Sequence, residues 1–292
     1  MVASTAIEKT APNRYGRAGI YLCLMSGISI WLFWPFFKWL AGTWSILYRD
    51  TFGYTVPFIS IWAVIRERKK ILDAPVGYSP WGWVLFLPGL LLTLVSRTHE
   101  HAIGACLALP LYCYGLCLLI WGKARSRYLI FPVFLCLFLY PWDTLLESLV
   151  GFHLRLLSTW MAFGGLKMLG LGVSVSGTLI LTKGFSIDVA PACSGIATLK
   201  VLFFAGAIAA YLLQESGWKK SVLWLSTVPL TVLLNMLRIV SVGIVGNAVS
   251  PEFAVSFFHQ ASGMIFFGVG LLLLYGEAAL LRKKAGSNVK AV

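Results

Sequence analysis

The chain has 292 residues, of which 59% are hydrophobic and 12% are charged. Soluble domains carry about a quarter charged residues, so this composition excludes a soluble enzyme, a disordered chain and a small disulfide scaffold. It indicates an integral membrane protein. The formal charge of +13 would point to nucleic acid in a soluble protein, whereas in a membrane protein it is first a signal of topology.

Eight apolar segments approach or reach the roughly 20 residues that cross a bilayer as a helix. They are residues 18–41, 52–65, 81–95, 102–121, 128–142, 194–213, 221–249 and 259–281. The second, third and fifth are short and contain Pro57, Pro88 and Pro132, so each is a candidate for a tilted, extended or re-entrant segment. The pattern predicts an all-α polytopic membrane protein with about eight transmembrane helices.

The positive charges sort by side of the membrane. With eight spans, sixteen of the 24 Lys and Arg fall in loops on one side and five on the other. Positively charged loops stay in the cytoplasm, which predicts cytoplasmic termini and accounts for the charge without nucleic acid. The first apolar run is longer than the 7–15 residues typical of a signal peptide, so we expect an uncleaved anchor.

We expect one membrane domain over residues 1–292. Its predicted parts are a cytoplasmic tail (1–17), five spans (18–142), an extracytoplasmic segment (143–192), a three-span unit (193–281) and a cytoplasmic tail (282–292). Within the extracytoplasmic segment, residues 143–169 mix apolar and charged side chains, which predicts an amphipathic helix at the interface. The alternating β-branched residues of 173–189 predict a short β-hairpin.

One of the six cysteines differs from the others. Five lie within predicted spans and are interpreted as small packing residues. Cys193 lies where the outer segment becomes the sixth span. The positive end of a helix dipole lowers the pKa of a thiol at the helix N-terminus, so this position favours a nucleophile. The alternative is a helix-capping turn with an incidental cysteine.

Two more ionisable residues are expected at the same depth in the outer leaflet. Arg238 lies about 18 residues into the seventh span, roughly 27 Å along the helix. An arginine inside a membrane helix is a functional hypothesis by default; the alternative is a side chain that snorkels to the interface. Asn235 shares its helix face, and His259 opens the eighth span. With Cys193, these residues offer a nucleophile, a cation for an oxyanion and a proton carrier.

No metal or cofactor is predicted. The run His99-Glu100-His101 does not have the HExxH spacing of a zinc site, and a solvated loop is the simpler interpretation. Lys200 lies two turns below Cys193 on the same helix face; it either tunes the site or faces a polar crevice.

Three motifs, in this order on successive C-terminal spans, resemble the signature of the exosortase/archaeosortase family. They are Ala192-Cys193-Ser194-Gly195-Ile196, Asn235-x-x-Arg238-Ile239 and His259-x-x-x-Gly263. Similar upstream motifs are Phe131-Pro132-Val133-Phe134 leading to Tyr140-Pro141, Gly177-Thr178, and Ile187-Asp188-Val189-Ala190. A looser N-terminal match comprises Arg49-Asp50 and Phe52-Gly53-Tyr54 to Pro57. The resemblance covers roughly residues 45–275.

The resemblance implies a multipass inner-membrane cysteine transpeptidase. Such proteins recognise a C-terminal signal on exported proteins, made of a short motif such as Pro-Glu-Pro, a transmembrane helix and a basic tail. They cleave near the motif and pass the protein to an acceptor, here an unknown lipid or glycan. Cys193 matches the nucleophile, Arg238 the essential arginine and His259 the third catalytic member, with Ser194 and Asn235 supporting them.

We expect no cofactor and no nucleic-acid partner, and a His at 259 fits the bacterial pattern of the family better than the archaeal one. Two other function classes stay open at the level of sequence. A transporter would use Arg238 and Lys200 to line a path for an anionic substrate. A non-catalytic scaffold of an exopolysaccharide export system would not need Cys193.

Overall fold

The computed structural model describes residues 14–46, 53–99, 101–182 and 184–286. The described chain is helical apart from one small antiparallel sheet, which confirms the predicted all-α class. It divides into two compact units, residues 1–140 and 141–292. Arg49, Asp50 and Phe52 of the looser N-terminal motif lie outside the described residues, as do Glu100 and Lys183.

The described residues of the first unit form five α-helices. They are α1 (Arg14–Ile46), α2 (Thr55–Asp73), α3 (Trp81–Thr98), α4 (Ala102–Ser126) and α5 (Ile130–Leu135), with 3-10 turns at Arg127–Leu129 and Cys136–Leu139. Helices α3 and α4 pack closely through glycine: a Cβ at Gly89 would lie 2.5 Å from the backbone nitrogen of Tyr112. Small residues allow this approach of helix backbones in membrane proteins.

In the second unit, the part of the chain that the structure describes forms seven α-helices and the sheet. Its elements are α6 (Trp142–Leu146), α7 (Phe152–Met168), β1 (Ser174–Ser176), β2 (Leu179–Leu181), β3 (Ser186–Asp188), α8 (Ile196–Leu213), α9 (Gly217–Leu225), α10 (Thr227–Ala248), α11 (Pro251–Phe253) and α12 (His259–Gly286). A π-helical turn, Glu147–Gly151, joins α6 to α7, and a second, Ala254–Phe258, leads into α12.

Six helical stretches among the described residues are long and apolar enough to cross a membrane. They are Leu24–Ser45, Trp81–Thr98, Ala102–Leu139, Ile196–Leu213, Gly217–Ala248 and Pro251–Arg282. The chain is therefore a multipass membrane protein, and each unit contributes three of these stretches.

Two of the eight predicted segments do not stand among the six as separate spans. From Thr55 onwards, the segment 52–65 forms the first half of α2, and the second half of that helix is charged, with Arg66, Arg68 and Lys70. Residues 128–142 break into α5 and two 3-10 turns instead of one helix. They follow a kink in α4, where Gly122 has φ +69°. These two segments contain Pro57 and Pro132, whereas the third short segment, with Pro88, forms the separate stretch Trp81–Thr98.

The predicted amphipathic helix over 143–169 is present as α6, the π turn and α7. The predicted hairpin extends to three strands in the order β1-β2-β3, all antiparallel. Gly177, with φ +60°, permits the tight turn between β1 and β2.

The sheet is fixed to the helices through one buried face. Ile180, Ile187 and Val189 belong to a core cluster with Leu166 of α7 and Ile239 of α10. The last turns of α10 lie under the sheet, because a Cβ at Gly246 would lie 2.1 Å from the ring of Phe185. The absence of a side chain there lets the helix approach the strands.

The start of α8 is tied to α6 by a buried ion pair. The ammonium group of Lys200 donates to Oδ2 of Asp143, and the side chain of Lys200 is only 5% exposed. This contact accounts for a lysine inside a membrane-spanning helix, because a buried charge needs a partner. Lys200 therefore positions α8, the helix that follows Cys193.

Candidate active site

Cys193 ends a short 3-10 turn that leads into α8. The turn, Pro191–Cys193, is closed by a hydrogen bond from the Cys193 amide to the Ala190 carbonyl at 2.7 Å. The hydroxyl of Ser194 donates to the carbonyl of Pro191 at 2.8 Å. Ser194 thus stabilises the turn that presents the cysteine, and Cys193 itself is buried, with 6% of its surface exposed.

Gly195 is required where the turn becomes the helix. It has φ +85°, a left-handed conformation that favours glycine. A Cβ at this position would also lie 3.2 Å from Cγ of Asn235. The glycine therefore allows α10 to bring its asparagine against the backbone of the turn.

Asn235 fixes the backbone of Cys193 directly. Its Nδ2 donates to the Cys193 carbonyl at 2.9 Å and to Oγ of Ser158 on α7 at 3.0 Å. A carbonyl can only accept, so the amide nitrogen must face Cys193, and this settles the orientation of the amide group. Asn235 and Ser158 are both buried, so the network joins the turn to α7 and α10.

The imidazole of His259 lies against the thiol of Cys193. Sγ of Cys193 is 2.7 Å from Nε2 of His259, although the residues are 66 positions apart in sequence. His259 is the first residue of α12 and directly follows the π-helical turn Ala254–Phe258. Such turns occur frequently at functional sites.

Arg238 is held beside the same imidazole by three contacts to α12. Its Nη2 donates to the His259 carbonyl at 3.0 Å and lies 3.3 Å from Nε2 of the ring. Its Nε donates to Oγ of Ser262 at 3.3 Å, and Ser262 in turn donates to the His259 carbonyl at 2.9 Å. No described residue accepts a hydrogen bond from Nη1 of Arg238.

A small cavity adjoins these three side chains. It has a volume of about 10 Å³, roughly the space of one water molecule. Cys193, Arg238 and His259 line it together with Asp188 of β3, and its apolar walls come from β3 and α10. The exposed carboxylate of Asp188 is the acidic group nearest to this cluster among the cavity-lining residues.

The structure thus brings Cys193, Arg238 and His259 together. Asn235 joins them through the carbonyl of Cys193, and Ser194 supports the turn. Asn235 shares a helix face with Arg238, but its hydrogen bonds go to the Cys193 carbonyl and to Ser158 of α7.

Three residues of the site were not singled out in the sequence. Ser262 carried a signal in the sequence, because it is a polar residue one helical turn from His259 in an apolar segment; the structure shows that it is fully buried. Asp188 stood only as part of a motif. Ser158 is 77 residues from Asn235 and gave no local signal.

The geometry supports a defined chemistry. A guanidinium group only donates hydrogen bonds, so the neutral ring of His259 accepts at Nε2, where the thiol also points. A base within hydrogen-bond reach of a thiol activates it as a nucleophile. The fixed cation beside the sulfur can stabilise negative charge on the sulfur or on an oxygen atom bonded near it.

Replacing Asn235 with aspartate tests its positioning role. The carboxylate cannot donate to the Cys193 carbonyl, so this buried acceptor loses its donor and faces a negative charge, whereas the hydroxyl of Ser158 can turn to donate to the carboxylate. We expect the free energy of unfolding to fall by about 2–3 kcal/mol. We also expect the rate of Cys193 alkylation by iodoacetamide in folded protein to change severalfold, because the turn is no longer fixed.

Asn247→Asp is the matched control, since Asn247 is also on α10 and its amide donates only within the helix, to Gly243. Equal stability and equal thiol reactivity of Asn235→Asp and wild type would contradict the positioning role.

Comparison with known proteins yields one family. The family model described as transmembrane exosortase (EpsH) matches residues 44–276, well over half of the chain. No curated protein and no solved structure matches the chain.

Proposed function

Since the chain belongs to the transmembrane exosortase family, we propose that it is a membrane-embedded cysteine transpeptidase of exported proteins. It removes the C-terminal sorting signal of each protein at the extracytoplasmic face of the inner membrane and transfers the remaining protein to an acceptor. Its substrates are membrane-anchored proteins with a signal of the tripartite kind, and the acceptor is a lipid or a glycan.

One observation carries the proposal. Sγ of Cys193 lies 2.7 Å and Nη2 of Arg238 lies 3.3 Å from the same atom, Nε2 of His259. Cys193 comes from the turn before α8, His259 from the start of α12 and Arg238 from the middle of α10. A transporter would instead need charges near the bilayer midplane on several broken helices, whereas this cluster combines a nucleophile with a base.

In the first half of the proposed reaction, the thiol proton moves to Nε2 of His259 and Sγ attacks the carbonyl carbon of the scissile peptide bond. The oxyanion that forms accepts from the two N–H groups on Nη1 of Arg238. When the C–N bond breaks, Nε2 returns the proton to the leaving amine. A thioester between Cys193 and the substrate remains.

In the second half, the acceptor hydroxyl or amine attacks the thioester carbon while Nε2 of His259 takes its proton. The C–S bond breaks, and the sulfur recovers the proton from His259. Arg238 stabilises the second oxyanion in the same way.

The proposed topology places both termini in the cytoplasm, as the excess of Lys and Arg on one side indicates. Helix α10 belongs to a 32-residue apolar stretch, longer than the roughly 20 residues that a bilayer requires. Its last turns pack against the sheet, so Arg238 is expected at the outer membrane boundary.

The proposal is tested with a secreted reporter that carries a C-terminal signal from an exported protein of the same organism. The reporter is co-expressed with the chain, and its mass is measured. We expect loss of its C-terminal helix, and any added mass identifies the acceptor. An intact reporter with every such signal, at normal abundance of the chain in the membrane, would favour a scaffold or a transporter.

Replacing Arg238 with lysine tests the oxyanion role in the same assay. Lysine keeps the charge, but its compact ammonium group cannot hold Ser262 and the His259 carbonyl while it also donates to an oxyanion. We expect a loss of about 10²–10³ in the rate of reporter cleavage, measured as initial rates at equal membrane abundance.

Arg155→Lys is the control, because Arg155 of α7 pairs with Glu147 at 3.5 Å and does not line the cavity beside the cluster. If Arg238→Lys cleaves as fast as wild type, the fixed guanidinium is not the oxyanion donor.

A further inference from the structure

Strand β3 is an edge of the sheet. The strand order is β1-β2-β3, and within the described residues β3 pairs only with β2. An edge strand presents backbone groups that can pair with another extended chain.

The hydrogen-bond register shows which backbone groups of β3 face the open edge. The amide of Val189 donates to the Thr178 carbonyl at 3.1 Å, and the amide of Thr182 donates to the Phe185 carbonyl at 2.9 Å. Hydrogen-bonded pairs alternate along an antiparallel ladder, so the pair Ile180–Ile187 between them also exchanges its bonds across the ladder. The backbone N–H and C=O of Ser186 and Asp188 therefore face away from β2, towards the open edge.

The side chains keep this edge accessible. Ile187 is 7% exposed and packs into the core on α7 and α10, whereas Ser186 and Asp188 are exposed. The buried residue anchors the strand, and its two neighbours leave their surroundings open to solvent. The strand is thus anchored to the helices through Ile187, and the two residues whose backbone faces the open edge are exposed.

The same strand lines the cavity of the candidate site. Ile187, Asp188 and Val189 form its wall together with Cys193 and His259. A peptide that adds to the edge of β3 would therefore run past the thiol. Because the open edge and the nucleophile border the same cavity, the chain that pairs with this edge is expected to be the protein substrate.

We infer that the edge of β3 binds the extended segment of the protein substrate next to its scissile bond. The inference rests on the proposed function. Ser186 and Asp188 pair through their backbone with two substrate residues that are two positions apart, about 7 Å along the strand, in the manner of strand addition. Main-chain pairing holds the peptide straight and brings the following carbonyl to Sγ of Cys193.

Replacing Ser186 with proline tests the inference, because proline removes the N–H that faces the open edge and leaves the bonds between β2 and β3 in place. We expect about a tenfold loss in the rate of reporter cleavage, greatest at low reporter concentration because binding is weakened. Alkylation of Cys193 by iodoacetamide should proceed at the wild-type rate, since the cluster is intact.

Val175→Pro is the matched control. Val175 of β1 pairs with Ile180 of β2. The backbone N–H and C=O of Val175 also face away from β2, but they lie on the opposite edge of the sheet. We expect this variant to cleave the reporter at the wild-type rate. Equal cleavage by Ser186→Pro and wild type, or equal losses in both proline variants, would overturn the inference.

A binding measurement separates this inference from the proposed chemistry. In a Cys193→Ala background, Ser186→p-benzoylphenylalanine should cross-link the co-expressed reporter under light, and Val175→p-benzoylphenylalanine should not. Cross-linking at position 186 without any cleavage by wild type would support the docking edge and contradict the transpeptidase function. Cleavage by wild type without cross-linking at position 186 would overturn the docking edge alone.

Discussion

Cys193→Ala is expected to abolish reporter cleavage, with a loss of at least about a thousandfold in rate. Removing the nucleophile of a cooperative catalytic set removes nearly all of its rate enhancement, about 10⁶ in a well-studied hydrolase. Alanine lacks the sulfur that forms the thioester, and neither His259 nor Arg238 can replace it. The measurement is the initial rate of loss of the reporter's C-terminal helix, at equal membrane abundance of the two proteins.

Cys113→Ala is the control for this substitution. Cys113 lies within α4 of the first unit, so its replacement removes a thiol that is not one of the cluster's residues. We expect it to cleave at the wild-type rate. Reporter cleavage by Cys193→Ala at more than a few per cent of the wild-type rate would contradict the assignment of the nucleophile.

His259→Gln is expected to lose about 10³ in the same rate. Glutamine is polar and similar in size to histidine, but it cannot accept a proton from the thiol or return one to the leaving amine. Proton transfer of this kind contributes a factor of about 10²–10⁴ to the reaction rate. The substitution also acts on the thiol itself. We therefore expect slower alkylation of Cys193 by iodoacetamide, because the base at 2.7 Å is gone.

The control is His153→Gln, which changes an exposed histidine of α7. Its cleavage rate and thiol reactivity should equal those of wild type. If His259→Gln lowers cleavage but leaves the alkylation rate unchanged, His259 acts on the leaving group alone. Wild-type cleavage by His259→Gln would contradict its role as the base.

The parts of the site that sequence could predict are those with local signals. Cys193 stands before an apolar helix in a run that contains proline and glycine, and Arg238 is a charge within a span, so each is conspicuous alone. Their depth followed from the rise per residue of a helix. The meeting of Cys193, Arg238 and His259 was predicted from depth, and the structure places them in contact.

What sequence could not predict depends on contacts between distant residues. The pairing of Lys200 with Asp143 spans 57 positions, so the sequence left two interpretations of Lys200 open. Asn235 shares a helix face with Arg238, yet its amide turns to Cys193, because that carbonyl and Ser158 arrive from other elements. The spacing of residues along a helix predicts which of them share a face, but not which residues of other elements that face will contact.

The sheet and the spans show a second limit. The alternation of residues 173–189 predicts strands, but three strands of three residues each are too short for a reliable count by periodicity. Similarly, hydropathy finds the apolar residues of 128–142, while their division into turns depends on Pro132 and on the kink at Gly122. Composition determines that these segments are apolar, and backbone geometry determines whether they form spans.

Trapping of the thioester at Cys193 is the most direct test of the proposed chemistry. Membranes that contain wild-type chain and reporter are treated with hydroxylamine, which attacks a thioester and leaves a hydroxamate at the new C-terminus of the reporter. The hydroxamate should form at one cleavage position with wild type and should be absent with Cys193→Ala. A cleaved reporter that never carries the hydroxamate, or one that carries it equally with Cys193→Ala, would show that the reaction does not pass through Cys193.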